Sequence, residues 1–201
     1  MKSEIFIGDC RDVLKSLPTN SINCCVTSPP YFNLRSYLSK EHPDKIKEIG
    51  SEKIPDEYVN NLVEVFREVK RVLRDDGTVF LNLGDSYAGS NQGAVTKNPS
   101  AIQASNTGTN YMLSDSHKSK LKHIDGLKPK DLIGIPWRVA FALQADGWYL
   151  RQDIIWSKPN PMPESVTDRC TKAHEYIFLL AKSQRYYYDA EAVKEPAQNW
   201  G

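Results

Sequence analysis

Several absences narrow the class of this sequence before anything present in it is weighed. No run of apolar residues approaches the roughly 20 needed to span a bilayer, and the start, Met1 to Gly8, has none of the apolar stretch of a secretory leader. The expectation is a cytoplasmic protein with no membrane partner. Cys10, Cys24, Cys25 and Cys170 form no C-x-x-C pair and have no histidine at zinc-ligand spacing, so they read as free thiols and no metal site is expected. Cys24 and Cys25 lie inside an apolar run, where cysteine behaves as a small buried hydrophobe. A large charge excess is missing as well: the formal net charge of +1 does not by itself announce a nucleic-acid partner. No internal repeat is visible.

What is present is an ordinary globular composition, 40% hydrophobic and 25% charged over 201 residues, enough for one domain with a real core. Charge is unevenly spread. Between Lys97 and Lys130 six lysines face only Asp115 and Asp125, which reads either as a solvated loop or as a phosphate-contacting one. Lys118, Lys120 and Lys122 are the candidates for phosphate contact.

Along the chain, Glu4 to Gly8 reads as a short strand and Arg11 to Leu17 as a helix, with Pro18-Thr19-Asn20 as the break. Ile22 to Thr27 is a mostly apolar run that suits a strand buried on both faces of a parallel sheet, ended by Ser28-Pro29-Pro30-Tyr31 because prolines cannot donate to a ladder. From Asp56 to Arg74, Tyr58, Val59, Leu62, Phe66, Val69, Val72 and Leu73 recur at helical spacing, Gly77 is placed to end the helix, and Thr78 to Leu83 resumes as a strand. Strand, crossover helix and strand is the grammar of an α/β sheet with helices on both faces. Residues 86–130 dissolve into Ser, Asn, Gly, Gln and Thr and read as a flexible insertion loop. Trp137 to Ala145 reads as a helix, and Tyr149 to Ser157 and Tyr176 to Lys182 as strands around a proline-rich loop from Lys158 to Thr171. His174-Glu175 is no metal pair, since neighbours on a strand point to opposite faces.

The chemistry gathers at Ser28-Pro29-Pro30-Tyr31. In open α/β sheets ligands bind outside the carboxyl ends of the strands, where this turn falls. An exocyclic base amine is a poor nucleophile while its lone pair is delocalised into the ring. Acceptors that hold its two N–H groups, such as the Ser28 hydroxyl and the Pro29 carbonyl, turn that lone pair toward a methyl donor. Tyr31 offers a flat face for an extruded base. Upstream, Asp9 at a strand end suits recognition of a cofactor adenine, or simply a helix N-cap. Trp156 and Lys158 flank another strand end, where they either line the base pocket and contact DNA or pack as core.

Gly8-Asp9 with Leu14, then Thr27-Ser28-Pro29-Pro30-Tyr31, then Lys70 to Thr78, resembles the beta-class DNA amino-methyltransferases, particularly phage-like members. Phe80-Leu81-Asn82-Leu83-Gly84-Asp85, Ile154 to Asn160 and His174 to Phe178 match further motifs, and the resemblance covers nearly all of the chain except the 86–130 loop. It implies a Rossmann-like, S-adenosylmethionine-dependent methyltransferase fold, mostly parallel with a late antiparallel strand. It also implies catalytic roles for Ser28, Pro29, Pro30 and Tyr31, a cofactor role for Asp9, Cys10 and Ser28, and double-stranded DNA with a flipped base as substrate within a restriction-modification system. The family uses Ser at the first motif position mostly for cytosine N4 and Asp mostly for adenine N6, so cytosine is favoured. The sequence departs from the family in one respect. The glycine-rich loop that holds the cofactor's methionine moiety is absent, and in this class it follows the catalytic half. Residues 1–201 are therefore expected to be a partial catalytic domain that works with a complementary C-terminal segment or as a homodimer. Alternatives are methylation of RNA or of a protein amide, or a non-catalytic DNA-binding or assembly fragment.

Overall fold

Proline placement and apolar spacing set the elements. The computed structural model describes residues 3–89 and 126–196. In chain order it contains α1 (Cys10–Ser16), β1 (Ile22–Thr27), a 3-10 turn at Lys45–Lys47, α2 (Pro55–Val72), β2 (Leu73–Leu83), α3 (Ile135–Ala145), β3 (Tyr149–Ser157) and β4 (His174–Ala181). Helix α2 starts on Pro55, whose fixed φ suits a first helical position, and carries Asp56 and Glu57 in its first turn and Lys70 and Arg71 in its last, complementing the helix dipole. Its buried stripe contains the periodic residues Tyr58, Val59, Leu62, Phe66 and Val69. The helix stops at Val72 rather than Arg74, because Leu73 turns directly into β2. Gly77 lies within the irregular opening of that strand, where a Cβ would come 2.9 Å from the Arg74 carbonyl oxygen.

The sheet has the order β1-β2-β4-β3. Strands β1 and β2 pair in parallel, and β4 runs antiparallel to both β2 and β3. Three strands therefore point one way and β4 alone opposes them, as expected of a mostly parallel sheet with a late antiparallel strand. On one face Val79, Leu81, Leu83, Phe178 and Leu180 are almost wholly buried. Helices α2 and α3 cover that face, with the Trp137 ring 5.1 Å from Phe178 and 5.7 Å from Tyr176. Each such large apolar side chain taken from water contributes about 1.5–3 kcal/mol.

Three expectations need correction. Residues Glu4 to Gly8 form no strand: the segment has no ladder partner among the described residues, and Ile5 and Ile7 are 87% and 94% exposed. Strand β1 is not buried on both faces, since it is an edge strand whose Cys24 and Val26 look away from the helices and are exposed. Cys25, on the covered face, keeps the structural role expected, and burial pushes its thiol up to about 11. Third, α1, α2 and α3 all lie on one side, and across the described residues the other side carries only part of the segment after β4, including Tyr187 and Tyr188 beside Cys24, Thr78 and Phe80. Among the described residues no helix is long and apolar enough to cross a membrane, and no cluster of His, Cys, Asp or Glu could hold a metal ion.

Candidate active site

Strand β1 delivers Ser28 to the carboxyl end of the sheet, and the two prolines then carry the chain out of the ladder. The turn is braced from below. The buried Tyr58 of α2 donates its hydroxyl to the Pro30 carbonyl at 2.9 Å, and its ring packs 5.6 Å from that of Phe32, which is itself buried. From the side, Gly50 sits so close that a Cβ would meet Pro30 Cβ and the Tyr31 carbonyl at 3.1 Å, and its φ of +94° suits glycine. Ser28 remains exposed. The Tyr31 ring lies across Gly84, where a Cβ would be 2.5 Å from Tyr31 Cε2.

A polar cluster surrounds the Tyr31 hydroxyl. It lies 2.7 Å from Asn82 Oδ1 and 2.9 Å from Glu175 Oε2, and Ser28 Oγ donates to Asn82 Oδ1 at 3.2 Å. The other Glu175 oxygen pairs with Lys158 Nζ, and that ammonium stands 5.3 Å above the Trp156 ring. Burial, reinforced by the Glu175 carboxylate, pushes the Tyr31 phenol up to about 12. Burial alone would raise Glu175, but hydrogen bonds from Lys158 and Tyr31 outweigh it and hold the carboxyl below its usual range. Phenol and carboxylate therefore stay in their ordinary neutral and charged forms.

Neighbouring segments are tied to this corner. Asp85, just past Gly84, accepts from the backbone N–H groups of Ser86, Gly134 and Ile135 and so fixes the start of α3. Lys172 Nζ reaches the Asp85 carbonyl at 3.3 Å; burial draws its ammonium below the usual lysine range, against the pull of Asp85, Glu175 and Glu164. Arg169 pairs with Glu164 through two nitrogens and lies 4.3 Å above the Tyr87 ring. The ends of the long insertion are also ordered. Ala88 and Lys130 to Asp131 exchange backbone hydrogen bonds, and Ser86 accepts from Ile133.

A cavity of about 430 Å³ opens beside the turn between α1, β1 and α2, lined by Gly8, Cys10, Cys25, Thr27, Ser28 and Phe66 among others. Its size falls within the range of ligand pockets. Ser28, Pro29, Pro30 and Cys10 thus share one space. Asp9 is placed otherwise: it is the N-cap of α1, accepting from the Arg11 N–H at 2.9 Å, and both its oxygens are bonded by the Arg11 side chain, which holds it down to about 2. Trp156 is half exposed rather than core. Lys118, Lys120 and Lys122 lie outside the described residues. Sequence reasoning missed Asn82, Glu175 and Tyr58 as parts of the site. The signal for Asn82 was a polar residue set between Leu81 and Leu83, and both it and Glu175 fall within the family-like motifs Phe80 to Asp85 and His174 to Phe178.

The chain matches the family model described as DNA methylase, of the N6/N4 methyltransferase type, over residues 22–201. It is 50% identical over 200 residues to the Type II methyltransferase M.Cfr9I of Citrobacter freundii, covering 98% of this chain and 60% of that protein. It is 48% identical over 201 residues to the Type II methyltransferase M.SmaI of Serratia marcescens, covering 98% and 61%. The chain thus spans about three fifths of the curated relatives it matches. Among solved structures, the PvuII DNA methyltransferase (cytosine-N4-specific) aligns with a TM-score of 0.58 at 19% identity, covering 94% of this chain and 52% of that one. A Thermus thermophilus protein, assigned as a DNA modification methylase and solved with S-adenosyl-L-methionine, aligns at 0.53 and 19% identity, covering 92% and 56%. Fold, proline-braced turn and the extent of these matches agree: the chain belongs to the N6/N4 DNA methylase family.

Proposed function

We propose that the intact protein transfers a methyl group from S-adenosylmethionine to the exocyclic amine of a DNA base drawn out of the duplex, with cytosine N4 favoured over adenine N6. One observation carries the reading: an exposed serine hydroxyl and a fixed tyrosine ring meet on a proline-braced corner at the carboxyl end of a sheet strand, beside an open cavity. Ser28 Oγ and the Pro29 carbonyl hold the amine hydrogens, and the Tyr31 face receives the unstacked base. The exposed Trp156 and the half-buried Lys158 at the neighbouring strand end, and Lys118, Lys120 and Lys122, contact the DNA. The preference for cytosine rests on the serine at the head of the motif, in keeping with the cytosine-N4 designation of the PvuII enzyme.

S-adenosylmethionine supplies an electrophilic methyl on a sulfonium, itself a good leaving group. The residues present fit one wall of its site. The cavity beside Ser28 and Cys10 has room and apolar surface, but no carboxylate lines it among the described residues, and the Asp9 oxygens are already engaged by Arg11. The remaining wall is assigned to a complementary C-terminal segment added at the open edge of β1 rather than to a second copy of this chain. By its named relatives, the protein serves a Type II restriction-modification system.

The test is methylation of mixed-sequence DNA with labelled cofactor, followed by digestion to nucleosides. N4-methylcytosine is expected. N6-methyladenine would move the assignment to adenine, and full activity in Ser28→Ala and Tyr31→Ala would remove it. A second reading, a non-catalytic DNA-binding or assembly fragment, is favoured by the engagement of Asp9 with Arg11; it predicts salt-sensitive DNA binding with no heat of cofactor binding.

A further inference from the structure

A serine hydroxyl both donates and accepts, so it can accept an amine N–H reliably only when its own proton is directed elsewhere. Asn82 supplies that destination. It lies on β2 between Leu81 and Leu83 and points to the opposite face from both. Its Oδ1 has no proton to give, so the 3.2 Å contact with Ser28 Oγ has the serine as donor. The orientation of the amide is fixed by its other end: Nδ2 donates to the Tyr176 carbonyl on β4 at 3.2 Å, and a flipped amide would set two carbonyl oxygens against each other. The second lone pair of Oδ1 faces the Tyr31 hydroxyl at 2.7 Å. On its far side that hydroxyl meets Glu175, held in place by Lys158. The single phenolic proton is shared between oxygens on two strands while the ring rests on Gly84.

We propose that Asn82 is a positioning residue that fixes the polarity of the site. Its carbonyl oxygen takes the Ser28 proton, so that the serine meets an incoming base amine as an acceptor, and together with Glu175 it pins the Tyr31 ring as the stacking face. This rests on the methyl-transfer reading of the turn. It adds to that reading a group that touches neither base nor cofactor and acts through two residues that do.

Two measurements on the full chain decide it. In protein labelled at the tyrosine Cζ carbons, the Tyr31 resonance reports whether its hydroxyl is held. The near-isosteric Asn82→Leu, which removes the acceptor, shifts it, and Glu175→Gln lets the phenol ionise at lower pH because a neighbouring negative charge has gone. An unchanged Tyr31 resonance in Asn82→Leu overturns the proposal, and this arm needs no turnover. In methyl transfer, Asn82→Leu lowers kcat by about 100-fold, the penalty of misplacing a reacting group, with KM for DNA within about threefold of wild type. Activity surviving in Ser28→Ala would sink the functional reading itself. An inactive Ser28→Ala beside a fully active Asn82→Leu would sink only the role of Asn82.

Discussion

A methyl group at residue 84 would stand 2.5 Å from Tyr31 Cε2, far inside van der Waals contact, so the tyrosine ring can rest on the sheet only because residue 84 has no side chain. Gly84→Ala is expected to leave thermal unfolding nearly unchanged, since the half-buried ring can swing toward solvent. Methylation should fall by about 100-fold because the stacking face has moved; activity within twofold of wild type would show that the ring position is immaterial. Tyr58→Phe probes the same corner from below. It keeps the packing on Phe32 but strips the half-buried Pro30 carbonyl of its donor, and loss of such a hydrogen bond costs about 0.5–1.5 kcal/mol, readable as a lower urea midpoint. The four residues of the turn were legible in the sequence because they are contiguous. Asn82 and Glu175 were not, because they reach Tyr31 from 51 and 144 positions away and only the sheet register brings them together.

Elements were most legible where periodicity is long or punctuation sharp. Strands β1 and β3 have the bounds the sequence predicts, and the stripe of α2 is the face it buries. Burial was harder to read, because the apolar character of β1 does not reveal that β1 is an edge strand. Nor did composition reveal how the segment between the turn and α2 is held. Its hub is Glu48, which accepts from the backbone N–H groups of Tyr37 and Leu38 and from Ser51, and pairs with Lys45. Burial would raise this carboxyl, but those partners prevail and hold it at about 2 against an ordinary 4.5. A folded-state value below the unfolded one stabilises the fold only while the carboxylate is charged. Its contribution is therefore complete above about pH 4.5 and drains away as pH falls toward 2. Since Gly50 of this segment abuts Pro30, acid should loosen the support of the proline-braced turn before the core. Hydrogen exchange is expected to show residues 36–51 opening across that pH window, and Glu48→Gln should open them already at neutral pH; equal protection in variant and wild type at pH 7 would contradict it.

At the scale of the molecule, the four-stranded sheet is finished on one side only. Helices seal one face, β1 and β3 are both edge strands, and β1 carries Val26 78% exposed. An open strand edge with apolar neighbours is a template for another strand. The chain spans about three fifths of the relatives it matches, and the occupant we propose for this edge is a segment corresponding to their remainder. Val26→Lys separates that assignment from a general need for stability. Because the side chain faces solvent in this chain, the substitution should change its unfolding free energy by less than about 0.5 kcal/mol. Supplied with the remaining segment of a relative such as M.Cfr9I, the unsubstituted chain should gain both a higher Tm and a heat of binding for S-adenosylmethionine. A charge on the pairing edge should abolish both gains. If Val26→Lys binds the segment and the cofactor as well as the unsubstituted chain does, the proposed second wall of the cofactor site is not built on β1.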